Sequence, residues 1–197
     1  VITGPSGSGK TTLSGIVLEQ IKNGIILNTD NYYRTGLISQ ILSRVITSYF
    51  DRKISFNIGL FKRDLDFILK NRFSNFSYKY NFKSKSIKKI YKNNKNIRFI
   101  IIDGVFGQEV LKILSIKNCF LIKLKASKQT CLNRVIKRDY IERGKNRDIA
   151  KKDFIKAWEL FHVNDKKYNS RNYFKKIDIS KKSDIDLLVK MITNLVN

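Results

Sequence analysis

Nine residues near the start of the chain, Gly4 to Thr12 ("GPSGSGKTT"), constrain its folding more than any other stretch. Gly4, Gly9, Lys10 and Thr11 fill the pattern G-x-x-x-x-G-K-[ST]. Such a loop turns its backbone N–H groups inward around phosphate oxygens, and glycine permits this because no Cβ blocks the approach. Pro5, Ser6, Gly7 and Ser8 complete the turn, and Thr12 continues into the helix. Val1-Ile2-Thr3 form an apolar stub before the loop, while Leu13, Ile16, Val17 and Ile21 follow at helical spacing. The expected unit is strand, phosphate loop and helix, with the positive end of the helix dipole on the anion. Lys10 is expected on the β- and γ-phosphates of a nucleotide and the Thr11 hydroxyl on Mg²⁺, so ATP and Mg²⁺ are the expected cofactors. A strand of three residues is shorter than the usual length of about five or six. With no Met at the start, the expectation is that a few residues are missing there.

Apolar runs that alternate with helical patterns predict a parallel sheet with helices on both faces. Gly24–Thr29, Arg98–Gly104, Asn118–Leu124 and Tyr173–Ile179 read as strands. Leu37–Thr47, Phe56–Lys70, Lys128–Arg143, a short segment Asp153–Phe161, and Asp184–Leu195 read as helices. The second of these carries Leu60, Asp64, Phe67 and Ile68 over successive turns. Phe76–Phe82 and Ser86–Lys92 alternate more loosely and predict a two-stranded excursion within 73–95. The fold class is α/β, one three-layer αβα domain over 1–197 of the type built by P-loop nucleoside-triphosphate hydrolases.

Composition narrows the function classes. No apolar run approaches membrane-spanning length. Cys119 and Cys131 lack metal spacing and read as free thiols of a reducing, cytoplasmic compartment. His162 is the only histidine, so no cluster of histidine metal ligands is available within this chain. The formal net charge of +24 raises a nucleic-acid reading. Lysine is nevertheless spread along the chain among Ile and Asn, the mark of a compositional bias, so nucleic acid is not the expected partner. The densest run, Lys83 to Lys95, lies in the predicted excursion and also reads as a solvated face.

Three further stretches bear on where a terminal phosphate could go. "NTDNYYR", Asn28–Arg34, ends the second strand. In a parallel sheet that end faces the ligand crevice, which puts Asp30 beside the phosphate loop as a base for a hydroxyl acceptor. An Asx turn or a helix cap is the equally simple alternative. Ile100-Ile101-Ile102-Asp103 is a hydrophobic strand ending in an acid, the Walker B arrangement, with Asp103 expected to hold Mg²⁺. "RVIKRDYIERG", Arg134–Gly144, carries Arg134 and Arg138 on one helical face and Arg143 beside Gly144. It reads as a lid over 134–148 whose guanidinium groups close on phosphate, or as a solvated basic helix.

The phosphate loop, "TDNYYR", "YFD", "YNFKSKS", "IIIDG" and "KRDYIERG" occur in an order that resembles the uridine–cytidine kinases of the phosphoribulokinase/uridine kinase group. The likeness runs from Gly4 to about Arg147, with an echo in "DKKY" at Asp165–Tyr168. It implies that Asp30 is the base, Tyr33 packs in the acceptor site and Asp51 binds ribose hydroxyls. It further implies that Tyr80 contacts the nucleoside base, and that Arg138 and Arg143 hold phosphates. Arg52, Lys53 and Ile54 stand where the family has His-Pro-Asp, Lys85 where it has a base-contacting His, and Lys145 where it has Arg. Asp103 stands where Glu is usual, and Val135 follows Arg134 where the family pairs arginines. A Lys cannot reproduce the hydrogen bonding of a His to a pyrimidine edge. The phosphoryl-transfer parts are therefore kept better than the nucleoside-reading parts.

The expected activity is ATP-dependent phosphorylation of a small hydroxylated acceptor, with uridine or cytidine foremost and a homo-oligomer left open. The rival readings are a kinase of another hydroxylated metabolite, a P-loop NTPase acting on nucleic acid, and a non-catalytic nucleotide-binding module.

Overall fold

The computed structural model of the protein describes residues 1–114, 119–167, 175–178 and 181–196. Strands β1 (Ile2–Thr3), β2 (Gly24–Asn28), β5 (Phe99–Asp103), β6 (Ile122–Lys125) and β7 (Lys175–Asp178) form one parallel sheet in the order β2-β5-β1-β6-β7. Helices α1 (Lys10–Gln20), α2 (Leu37–Val45), α3 (Ile58–Asn71), α4 (Gly107–Ile113), α5 (Lys128–Arg143), α6 (Arg147–Lys167) and α7 (Lys182–Val196) complete the α/β unit. The chain leaves β1 toward one edge of the sheet, at β2, and later fills the other edge with β6 and β7. Parallel sheets place ligands at such a switch point, outside the carboxyl ends of the strands. One apolar cluster packs Ile2, Leu13, Val17, Ile122, Leu124, Ile177 and Leu188 around β1. Another gathers Ile25, Leu27, Phe56, Phe61, Leu65 and Ile102 around α3 and β2.

Several element boundaries differ from the sequence expectation for physical reasons. Strand β2 stops at Asn28 because Thr29–Asn31 coil into a short 3₁₀ turn, which the Asn28 side chain caps by accepting the Asp30 N–H at 2.7 Å. Helix α3 starts after Asn57, whose Oδ1 accepts the Leu60 N–H at 3.2 Å. Its buried face is Phe61, Asp64, Leu65 and Ile68, whereas Phe67 is 46% exposed. Strand β6 begins at Ile122, where pairing with β1 and β7 begins, and the expected start at Asn118 lies outside the described residues. Tyr173 and Ile179, expected at the ends of the last strand, and Tyr168 also lie outside them.

The largest difference is α6, a helix of 21 residues where a short one at Asp153–Phe161 is expected. Its buried stripe is Ala150, Phe154, Ala157 and Phe161, a spacing of four and three that begins a turn earlier on a small residue. No glycine or proline interrupts it. Helix α5 spans the expected residues: Ser127 Oγ accepts the Thr130 N–H at 3.0 Å, and Gly144, at φ +64°, turns the chain out of the helix.

Strands β3 (Ser74–Asn81) and β4 (Ser86–Asn94) make a separate antiparallel hairpin. The Tyr80 N–H donates to Asn31 Oδ1 at 3.0 Å, which ties the hairpin to the turn that carries Asp30.

Candidate active site

The loop between β1 and α1 closes on itself, with the Ser8 N–H bonded to the Pro5 carbonyl at 3.1 Å. Gly7 (φ +79°) and Gly9 (φ +89°) take up the reversed curvature. A Cβ on Gly7 would stand 2.6 Å from the Cys131 carbonyl, so the loop lies directly against α5. Arg134 reinforces that contact by donating to the Gly7 carbonyl at 3.3 Å. Lys10 Nζ folds back to the carbonyls of Gly4 and Pro5, both at 2.9 Å. Burial lowers the Lys10 pKa, while Asp30 and Asp103 push it back up. Thr11 and Thr12 are exposed at the mouth of the loop, Ser6 is half-buried, and Ser8 is buried.

Asn28 and Asp103 are register partners on neighbouring strands, so the turn after β2 and the end of β5 meet beside Lys10. Asp103 is fully buried, and Ser14 Oγ donates to its Oδ2 at 3.2 Å. Its Oδ1 has no hydrogen-bond partner among the described residues. Burial first, and the Asp30 charge second, push the Asp103 pKa up to about 6, against Lys10 and the hydroxyls of Ser14 and Thr11. An orphaned buried carboxylate oxygen beside a threonine hydroxyl and a phosphate loop fits a hard divalent cation. Among the described residues no group of three or more His, Cys, Asp or Glu could hold a metal, so such an ion would need phosphate oxygens or water to complete its shell.

With Asn28 serving as the cap, the Asp30 carboxylate is turned toward the β5 end, where its Oδ1 accepts the Val105 N–H at 3.2 Å. Gly104 makes this approach possible. At φ +120° it occupies a backbone region open to glycine, and a Cβ there would collide with Thr29 Oγ1 and sit 2.9 Å from Asp30 Oδ1.

A cavity of about 430 Å³ opens between these strand ends, the 3₁₀ turns, the hairpin tip and α5–α6. Asp30, Tyr33, Asp51, Phe82, Arg138 and Arg143 all line it. Tyr33 is buried and meets Phe50 and Tyr80 edge to face at 5.0 Å. Burial, followed by the Asp30 and Asp51 charges, raises its hydroxyl pKa well above the ordinary value. Burial and the Asp30 charge bring Asp51 up to about 7, against Arg143 and Lys145. Tyr80 stands one layer back. It is 6% exposed, packs on Tyr33, Phe50 and Phe82, and its hydroxyl has no hydrogen-bond partner among the described residues. It is absent from the cavity lining and stands behind Tyr33 and Phe82, which do line it. Lys85 does line the cavity, with Nζ held by Ser43 Oγ at 2.8 Å.

Arg138 and Arg143 both line the cavity. Arg143 lies over the Phe82 ring, 3.6 Å from its centroid, bridging α5 and the hairpin tip, and Arg138 flanks it on the cavity wall. Sequence reading missed Asp139, Ser14 and Phe82. Asp139 had a visible signal, an acid four residues before Arg143 on a predicted helix, whereas Ser14 meets Asp103 only through the tertiary fold.

The model of the "Phosphoribulokinase / Uridine kinase family" matches residues 1–165. A uridine kinase from Streptococcus uberis is 30% identical over 152 residues, which is 75% of this chain and 70% of the relative. Among solved structures, a proposed fructose transport system kinase from Silicibacter sp. TM1040 superposes with a TM-score of 0.57 at 17% identity, covering 81% of this chain and 82% of that one. A protein described as a possible uridine kinase from Bacillus stearothermophilus gives 0.51 at 16% identity, with 89% and 85% covered. These two likenesses speak to the fold, a central parallel sheet flanked by helices.

Proposed function

Because the chain belongs to the phosphoribulokinase/uridine kinase family and is a kinase, we propose that it transfers the γ-phosphoryl group of ATP to a hydroxyl of a small acceptor, foremost the 5′-hydroxyl of uridine or cytidine. The observation that carries this reading is the convergence of Lys10, Asp30 and Asp103 at three adjacent strand ends, with Asp30 facing the cavity beside them.

The loop N–H groups and Lys10 hold the β- and γ-phosphates, and Lys10 exchanges its carbonyl partners for phosphate oxygens when the nucleotide enters. Mg²⁺, which Thr11 and Asp103 would hold, supplies charge neutralisation on the phosphate oxygens. Asp30 orients the acceptor hydroxyl and takes its proton as the oxygen bonds to the γ-phosphorus and the bond from that phosphorus to the β-phosphate oxygen breaks. Arg138 and Arg143 meet the negative charge spread over the migrating phosphoryl group. Tyr33 forms an apolar wall, and Asp51 receives acceptor hydroxyls when ionised. Water is kept out by the stack of Arg143 on Phe82.

A second acceptor class, another hydroxylated metabolite, is favoured by one observation: Lys85 lines the cavity while Tyr80 is walled off from it. The test is ATP consumption measured alone, with a panel of nucleosides and hydroxylated metabolites, and with polynucleotide. Consumption that depends on a small acceptor, with a matching phosphorylated product, supports the proposal. ATP turnover stimulated by polynucleotide and indifferent to every small acceptor overturns it.

A further inference from the structure

The carboxylate of Asp139 lies near the C-terminal end of α5, with its side chain 4% exposed, and it gathers three cations of the cavity wall. Arg138 donates both Nε and Nη2 to Oδ1, at 2.9 and 2.7 Å. Arg143 Nη1 reaches Oδ2 at 3.4 Å, and Lys145 Nζ reaches the same oxygen at 3.6 Å. The backbone of the same residue closes the turn, because its carbonyl accepts the N–H groups of Gly144 and Lys145. One residue therefore sets both the path of the chain out of α5 and the direction of the side chains around it.

This arrangement has a chemical consequence. Arg138 spends its Nε edge on Asp139, which leaves Nη1 for a ligand, and Arg143 spends only Nη1. Three like charges on one wall would splay toward solvent without a shared anion between them. Burial and the Arg138 charge pull the Arg143 pKa down, and Asp139 pushes it back up. Lys145 is steadied from its other side by Asp153 at 2.8 Å, and Arg143 by the face of Phe82. Ordering of long basic side chains is thereby completed before any substrate arrives.

We infer that Asp139 is a positioning residue that holds Arg138, Arg143 and Lys145 over the acceptor cavity in advance of phosphoryl transfer. The inference rests on the kinase reading above, in which Arg138 and Arg143 serve the migrating phosphoryl group. Asp139 borders the same cavity, but both of its carboxylate oxygens are taken by these cations, and it acts through them.

The experiment compares Asp139→Asn with the parent protein. The substitution removes the negative charge and turns an NH₂ group toward the cations. The kcat should fall on the order of 10²-fold, the scale of a small misplacement of catalytic groups. KM for ATP should stay within about threefold, because the phosphate loop is unaltered. In an Arg138→Ala/Arg143→Ala background the same substitution should change kcat less than about threefold, since the groups it positions are gone. Asp139→Glu, which keeps the charge, should recover part of the loss and serves if the Asn protein does not fold. A readout independent of activity is the Arg138 Nε–H resonance, which should exchange slowly with water in the parent and rapidly in Asp139→Asn.

An unchanged kcat in Asp139→Asn overturns the inference, and so does an equal loss in the background without the two arginines. Rapid exchange of Arg138 Nε–H in the parent overturns it even in a protein that transfers phosphate to no acceptor. The absence of transfer in the parent, with Arg138 Nε–H protected, would count against the kinase reading alone.

Discussion

Replacing Gly104 by alanine should damage both the stability and the chemistry of this protein, because the residue is where Asp30 meets the end of β5. At φ +120° the backbone there is open to glycine and strained for alanine, which costs about 1–3 kcal/mol. The new Cβ would collide with Thr29 Oγ1 and stand 2.9 Å from Asp30 Oδ1, and such overpacking costs a further ~1–3 kcal/mol. For a chain of this size 1 kcal/mol lowers Tm by about 2–4 °C, so the midpoint should fall by roughly 4–24 °C. Thr29 and Asp30 can relieve the clash only by moving, and a displacement near 1 Å of a catalytic group costs about 10²-fold in rate. Nucleotide affinity should change little, because the phosphate loop lies on another strand end. Gly15→Ala is the matched control: it lies inside α1, nothing approaches its Cβ position within 4 Å, and alanine there should stabilise by about 0.5–1 kcal/mol. Thermal unfolding followed by circular dichroism, with steady-state transfer assays on both variants, measures the contrast. If Gly104→Ala melts with the parent and transfers at the parent rate, the close approach of Asp30 to this turn is not a feature of the working protein.

Three other perturbations have defined outcomes. Lys10→Ala should remove transfer while leaving the fold intact, and activity retained within about tenfold, ~1.4 kcal/mol of barrier, would count against its place on the phosphates. Asp30→Asn should lower phosphorylation of the acceptor roughly 10²–10⁴-fold, the span of general-base losses, with ATP affinity by calorimetry nearly unchanged. A joint loss of binding and transfer would make Asp30 structural instead. Asp51, raised by burial from 3.8 to about 7, favours folding in acid: its contribution is fully present below 3.8 and fades as the pH rises through 7. Relative to the parent, Asp51→Asn should therefore gain stability between pH 4 and 7 and hold that gain above it. Parallel Tm curves from pH 4 to 8 would show that Asp51 titrates normally.

Much of the phosphate-binding half was legible because its signals are local. The loop of Gly4 to Thr11 needs glycines where the backbone turns back, and helix α1 must follow directly for the dipole to reach the anion. Strand β5 announces itself by an unbroken apolar run ending in Asp103, the pattern of a strand covered on both faces. Helix α5 was legible over its whole span, with Gly144 marking its end. The acceptor half was less so, since its residues come from the turn after β2, the hairpin tip, α5 and α6, and no short pattern records where those meet.

The sequence alone determined that this chain builds a parallel α/β sheet, that a phosphate-loop pattern opens it, and that Asp30 and Asp103 stand at the ends of neighbouring strands. It could do so because chain direction, side-chain period and glycine tolerance are properties of neighbouring residues. Only the tertiary structure decided that Asn28, and not Asp30, caps the turn, which leaves the Asp30 carboxylate to the β5 end. It alone set Tyr80 behind Tyr33 and Phe82, extended α6 along an alanine-led stripe, and gathered three cations on Asp139. Each of these outcomes is a choice among partners far apart or equally near in the chain, and it is settled by which groups are buried together and which hydrogen bonds burial requires.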